Sequence, residues 1–447
     1  MNTLRLPLTA LIALAFTAAL HAPAHGEITQ QWLTQWGTSA DEIGWGVAVD
    51  GAGKTWVTGY TSGALGGTNA GGTDFFLTTL STTGVLGTSV QRGGTGDDLG
   101  FAAAVVGGST VFGAGYTSSP TWDGATALGG QDALAVGYST AGAYQSTTRF
   151  GSTGSDHVGG AAGNATNLLV AGTAAGTIDG QPRVGFQEDA FLSKRTSTGA
   201  LVWTRVVSTF EVDDGRAAAF DSAGNAYMAG LTLGSLPTFT NAGGFDLFVA
   251  RYDASGAQTL LKQWGTSGDD RAYGMQVDGS GNIYLTGYTS GNLGGQTNNG
   301  GQDALLTKLD SSGNVLWTRL LGGTGDDVSN GLALDAAGHV WIGGYSGSSF
   351  AGHTNANNLD AFVAQYDSAG NLLNTMFWAT AGTDYVTGLA AAPDGSVSVS
   401  GWAQGTLGAA YLGGADAWAA SLTTVPEPSA ALLLAAGAGL LLRRRRG

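Results

Sequence analysis

Apolar and polar residues alternate along most of this chain in short runs, broken by glycine-rich turns, and the runs recur. In the stretch beginning at Gln263, "YGMQVD" alternates Met275 with Val277, and a "DGSG" turn leads into "NIYLTGYT", which sets Ile283 and Leu285 on one face. After the loop "SGNLGGQTNNGGQ" comes "DALLTKLD", and the turn "SSGN" leads to "VLWTRLL". A period of two predicts strands, and no helical period occurs in these copies. The Asp-x-x-Gly pieces are turn chemistry: the carboxylate accepts backbone N–H bonds and the glycine takes a positive φ. One unit therefore reads as four short strands.

The unit is used repeatedly. "QWGTSADE" at 35–42 returns as "QWGTSGDD" at 263–270, a separation of four times 57. A Gly/Thr turn closes on an acid at Glu42, Asp98, Asp156, Asp214, Asp270, Asp327 and Asp384, in steps of 56, 58, 58, 56, 57 and 57. A glycine recurs at 59, 115, 172, 230, 287, 344 and 401, and an aspartate at 74, 132, 189, 246, 303, 360 and 416. Four strands per unit at a period above 40 predict an all-β protein, a seven-bladed β-propeller of four-stranded antiparallel blades, with repeats starting near 35, 91, 149, 207, 263, 320 and 377. The copies between 90 and 262 are the most degenerate. The last copy runs out before its fourth strand, because the place equivalent to Trp317 falls at Ala430. The segment "ITQQWLTQWGTS" can supply the missing strand: Trp32 precedes Asp41 by nine residues, as Trp317 precedes Asp326. Such closure would pair two otherwise free edges.

On "DGSGNIYLTGYTSGNLGG" and "GGQDALLTKLDSSGNVLWTR" the chain resembles the SBBP-type repeat family, over about 390 of its 447 residues. The resemblance implies a propeller and no single activity.

The two ends read differently from the repeats. Residues 1–26 have an early Arg5, an apolar run from Leu6 to Leu20 and small residues at Ala22 and Ala24, the layout of a secretory signal peptide cut after Ala24 or Gly26. This leaves 27–424 for the propeller. Residues 425–447 place Pro426-Glu427-Pro428 before an apolar stretch from Ala430 to Leu442 and then Arg443, Arg444, Arg445 and Arg446. Thirteen helical residues reach only about 20 Å, short of a roughly 30 Å hydrocarbon core, so the stretch would make a marginal permanent span with its arginines held in the cytoplasm. Motif, apolar stretch and arginine cluster resemble the PEP-CTERM sorting signal of Gram-negative bacteria. That resemblance implies export, transient insertion of the C-terminal segment in the inner membrane, processing by an exosortase-type peptidase, and a destination at the cell surface or in the extracellular matrix.

Charge narrows the partners. The net charge is -15, and without the two terminal segments 13 basic side chains face 32 acidic ones, or -19. Such a surface repels phosphate backbones and argues against nucleic acid; cations, exopolysaccharide and other surface proteins fit it better. The protein is expected as a monomer. With no cysteine, neither disulfides nor thiolate metal sites are available.

No constellation of catalytic residues stands out. His157, His339 and His353 occupy non-equivalent repeat positions, and no Ser-His-Asp set, His-Glu-x-x-His or phosphate loop can be assembled; "GAGK" at 51–54 is a turn fragment. The expectation is a non-catalytic binding or structural protein without a cofactor. The alternative is a carbohydrate-active enzyme or lectin-like propeller that uses the acidic loop face, where pairs such as Asp269 with Asp270 could act on glycosides. Fourteen repeated acids on one face also raise Ca²⁺, with Asp98, Asp270, Asp327, Asp303 and Asp360 as candidate ligands. Against that stands turn capping, which makes each acid an acceptor for its own loop. Among the aromatics, Trp36, Trp264 and Trp378 flank the inter-blade turns, while Tyr60, Tyr116, Tyr288, Tyr345 and Trp402 follow the repeated glycine. They suit either blade packing or sugar stacking.

Overall fold

Each repeat folds as an antiparallel meander. A computed structural model describes residues 26–355, 358–408 and 410–425, so the signal-peptide reading of 1–25 and the sorting motif with its arginines at 426–447 lie outside the described residues. Residues 30–422 form one compact unit, and the described residues 26–29 and 423–425 group with the termini in another. No helix occurs among the described residues.

Seven four-stranded sheets follow one another. The first strand of each blade lines the central channel: Glu42–Val49, Asp98–Val106, Asp156–Gly163, Asp213–Phe220, Asp270–Val277, Asp327–Leu334 and Asp384–Ala391. In the fifth blade the remaining strands are Ile283–Thr289, Asp303–Leu309 and Val315–Leu321, as the alternation predicts. In the seventh sheet, Asp384–Ala391, Val397–Ala403 and Asp416–Val425 are completed by Glu27–Trp36, the expected closure.

The core lies between neighbouring blades. Tyr284 and Leu306 of one blade pack with Ile342 and Phe362 of the next, all buried; each such large side chain contributes about 1.5–3 kcal/mol by leaving water. Repetition of the wedge makes every blade depend on its neighbours for that burial.

One local feature explains the recurring glycine of the second strand. Every inner strand carries a bulge, at Gly44/Gly46, Gly100/Ala102, Val158/Gly160, Gly215/Ala217, Ala272/Gly274, Ser329/Gly331 and Val386/Gly388. The bulge presses a carbonyl of the inner strand against the second strand. A Cβ on Gly287 would lie 1.8 Å from the Arg271 oxygen, and one on Gly344 1.8 Å from the Val328 oxygen. No side chain fits there. Beyond packing, a backbone bond stitches each blade to the one before it: the Asp98 amide donates to Thr73 O (2.7 Å), the Asp270 amide to Phe245 O (2.7 Å), and the Glu42 amide closes the circle on Ala415 O (2.6 Å).

Candidate functional site

Two rings of side chains sit toward the same end of the channel, and they differ in kind. The first is the ring of acids that open the inner strands, each beside the aspartate that opens the third strand of the preceding blade. All are buried. Each inner-strand acid caps its own turn: the Gly94 amide donates to Asp98 Oδ2 (2.7 Å), the Gly323 amide to Asp327 Oδ2 (2.8 Å) and the Thr380 amide to Asp384 Oδ2 (2.6 Å). Hydroxyls of Thr117, Thr289 and Ser346 donate to the other oxygen of Asp98, Asp270 and Asp327.

One member of the expected acid ring must be corrected. In "STFEVDD" the capping acid is Asp213, not Asp214: the Thr209 amide donates to Asp213 Oδ2, and the Asp213 amide makes the inter-blade bond to Glu188 O. Asp214 lies one residue further along the strand and turns into the channel. Likewise Asp269 and Asp270 do not act as a pair. Asp270 is fully buried in its turn, whereas Asp269 is half-buried and bridges to Arg271 (3.2 Å).

The third-strand acids accept from their own loops: the Ala70 amide donates to Asp74 Oδ2 (3.0 Å) and the Asn299 amide to Asp303 Oδ2 (2.9 Å). Asp360 receives His353 Nε2 (2.7 Å). No group of three or more His, Asp or Glu side chains converges among the described residues. Burial pushes the carboxyls of Asp98, Asp270 and Asp303 up, partly offset by hydrogen bonds, and the acid across each junction adds to the rise.

The second ring consists of the bulge residues: Trp45, Phe101, Gly159, Arg216, Tyr273, Asn330 and Thr387. The bulge drops each out of register with the second strand, and all seven line one cavity of about 420 Å³. Tyr116, His157, Val158, Thr173, Glu188, Asp214, Val328, Tyr345 and Tyr385 complete its wall. Trp45 meets Phe101 (centroids 5.4 Å), which continues to Tyr116 and His157; on another side Tyr345 meets Tyr385 (4.4 Å), which stacks on Trp402 (4.5 Å). Between these aromatic arcs stand the polar groups. Asp214 accepts from the Thr173 hydroxyl and from Arg216 Nε (2.6 Å), and Arg216 faces the Tyr273 ring at 5.9 Å. The opposite end of the channel is lined mainly by small residues such as Ala103, Ala161 and Ala390.

Of the sequence candidates, Tyr116 and Tyr345 line this cavity, and His157 joins them. Trp36, Trp264 and Trp378 belong to packing: the first two lie in the inter-blade clusters and Trp378 meets Trp418 at 5.0 Å. His339 is spent on its turn, bonding Asp335 Oδ2 (2.9 Å), and "GAGK" is a turn held by Asp50 Oδ1. Trp45, Phe101, Arg216, Tyr273, Asn330 and Thr387 escaped the sequence reading because it looked for residues that recur. The signal that finds them is the opposite one, a position where no two copies agree.

A family model described as a beta-propeller repeat (SBBP) matches residues 261–295. The regulatory protein FlaEY of Caulobacter vibrioides is 35% identical over 102 residues, which is 21% of this chain and only 10% of that protein. Among solved structures, a protein of unknown function from Dyadobacter fermentans is 11% identical at a TM-score of 0.42, covering 89% of this chain and 99% of its own. The β-propeller domain of the trilobed protease from Pyrococcus furiosus is 8% identical at a TM-score of 0.44, covering 86% and 99%.

Proposed function

We propose that this protein is an exported, non-catalytic propeller that binds a saccharide at the cavity in its channel and is carried to the cell surface or extracellular matrix by its C-terminal segment. The observation that carries the reading is the bulge ring. Seven equivalent backbone positions hold seven different residues, six side chains and Gly159, around one cavity, and two aromatic arcs flank polar Asp214, Arg216, Asn330 and Thr387. Ring faces cover the apolar face of a pyranose, and alternating donors and acceptors read its hydroxyls. A cavity of this size admits the end of a glycan chain rather than its middle.

Export and sorting rest on residues 1–26 and on Pro426-Glu427-Pro428 with the Arg443 to Arg446 cluster, read together as addresses. The matching partners are an exosortase-type peptidase for processing and an exopolysaccharide for display. Binding is favoured over hydrolysis because Asp214 is already neutralised by Arg216, which removes one of the two carboxylates a glycosidase would need.

A glycan array probed with the purified protein tests this. The expected result is retention of a defined set of glycans, weakened about tenfold or more by Trp45→Ala or Tyr273→Ala, since stacking on an aromatic ring contributes on the order of 1 kcal/mol or more. An array without retention, or release of sugar from a retained polysaccharide, overturns the reading.

A further inference from the structure

The seven acid pairs at the blade junctions are not chemically equivalent. Three have an arginine or histidine nitrogen built in, whereas Asp74, Asp246 and Asp416 receive only a neutral glutamine amide, from Gln91, Gln263 and Gln35. Arg149 Nε reaches Asp132 Oδ2 at 2.6 Å, Arg183 Nε reaches Asp189 Oδ2 at 3.1 Å, and His353 Nε2 reaches Asp360 Oδ2 at 2.7 Å. At the other four junctions, Asp416/Glu42, Asp74/Asp98, Asp246/Asp270 and Asp303/Asp327, no lysine, arginine or histidine pairs with either acid among the described residues. At these same four, one carboxylate oxygen is buried with no hydrogen-bond partner: Asp416 Oδ1, Asp74 Oδ1, Asp246 Oδ1 and Asp303 Oδ1.

Each orphan oxygen faces the acid across the junction over a glycine. A Cβ on Gly93 would lie 2.0 Å from Asp74 Oδ1 and 3.1 Å from Asp98 Oδ2. One on Gly322 would lie 2.7 Å from both Asp303 Oδ1 and Asp327 Oδ2, and Gly37 and Gly265 repeat the arrangement. In the Arg183 junction the equivalent residue is Ser208, whose hydroxyl donates to Asp189 Oδ1 (2.7 Å). The unpartnered oxygen there belongs instead to Asp213, with Thr232 beside it. Two buried carboxylates without a counter-charge are costly, and such groups are paired with cations or coordinate metals.

We propose that these four junctions each bind one hard cation, Ca²⁺ in the first instance, between their two carboxylates, and that Arg149, Arg183 and His353 take its place at the other three. The candidate ligands Asp98, Asp270, Asp303 and Asp327 thus belong to sites, whereas Asp360 belongs to a junction served by His353. Two carboxylates supply a minority of the six to eight oxygens that Ca²⁺ takes. Backbone carbonyls and water must supply the rest, which places the affinity near the roughly 10⁻⁴–10⁻³ M of extracellular modules.

The test uses the purified protein, stripped with chelator and re-equilibrated with millimolar Ca²⁺ at pH 8. Calcium counted by equilibrium dialysis and elemental analysis is expected to approach four per chain, and the unfolding midpoint to rise by several degrees on addition. Asp303→Asn should lower the count by one. Leu320→Arg provides a second variant that keeps both acids. Leu320 pairs with Leu305 as Arg149 pairs with Leu134, so the new guanidinium should displace one calcium while the protein stays folded without it. Retention of no calcium together with an unchanged midpoint overturns the proposal, as does a count of four that Leu320→Arg leaves untouched. A midpoint that falls from pH 5 to pH 8 regardless of calcium assigns the pairs to a shared proton instead.

Discussion

The two rings in the channel were built by one duplicated backbone and have gone opposite ways. At the start of the inner strand six blades carry aspartate and one carries glutamate, each buried and each capping a turn. Three residues later the seven blades carry tryptophan, phenylalanine, glycine, arginine, tyrosine, asparagine and threonine. The acid is bound into its fold by a turn amide and an inter-blade bond, so its identity is set by structure. The bulge residue makes no ladder pair with the second strand and faces the cavity. Constancy across the repeats therefore marks architecture, and disagreement across them marks the surface free to take up a ligand.

The hardest break of this comparison falls on the glycine that accommodates the bulge. Gly287→Ala places a Cβ 1.8 Å from the Arg271 carbonyl in the middle of a strand with no room to shift. Urea unfolding should show a loss of about 3 kcal/mol or more, the upper range for forced overpacking. A loss below about 1 kcal/mol would mean that the bulge relaxes at little cost, and that the glycine recurs for another reason.

A smaller effect sharpens the acid ring. Burial, with Asp360 across the junction adding to it, pushes Asp384 up to about 6; burial does the same for Asp213, again to about 6, with Asp189 adding. Both stand above the ordinary aspartate value, so the folded protein keeps protons that the unfolded chain releases. Their stabilising effect is whole below about pH 4 and is lost as pH rises to about 6, after which it no longer changes. A shift of about two pH units corresponds to about 3 kcal/mol for each group. Asp384→Asn, measured in chelator between pH 4 and 7, should reduce the pH-dependent loss of stability by about that amount. An unaltered slope would show that Asp384 titrates as it does in the unfolded chain.

Much of the fold was legible because repetition wrote it seven times. The alternation around Met275 and Ile283 located the strands, and the early end of the last copy located the closing strand at Trp32. The acid of the fourth blade was misassigned because "DD" offers two candidates and spacing alone does not choose between them. Local chemistry does choose: the residue that caps stands four after its donor, as Thr266 stands before Asp270, Thr380 before Asp384 and Thr209 before Asp213. The periodic glycine was visible, but the bulge that demands it was not, since a bulge is a mismatch between strands and leaves no mark on either alone. Arg216 was hidden for the same reason. It meets Asp214, which keeps its ladder pair with Leu231, only once the bulge has turned the arginine out of the ladder.

The smallest expected effect completes the contrast. Tyr273 is half-buried at the bulge and touches Tyr288 at 5.9 Å and the guanidinium of Arg216 at the same distance, with no ladder pair to the second strand. Tyr273→Thr substitutes the side chain that the seventh blade already carries at Thr387, in the same backbone setting. Because that setting accepts seven different residues, the change in stability should stay within about 1 kcal/mol, the range of substitutions that create no buried cavity or orphaned polar group. The unfolding curve should therefore barely move while glycan retention falls. A stability loss on the scale of Gly287→Ala would place Tyr273 in the architecture with the acids, and would remove the distinction from which the binding site was inferred.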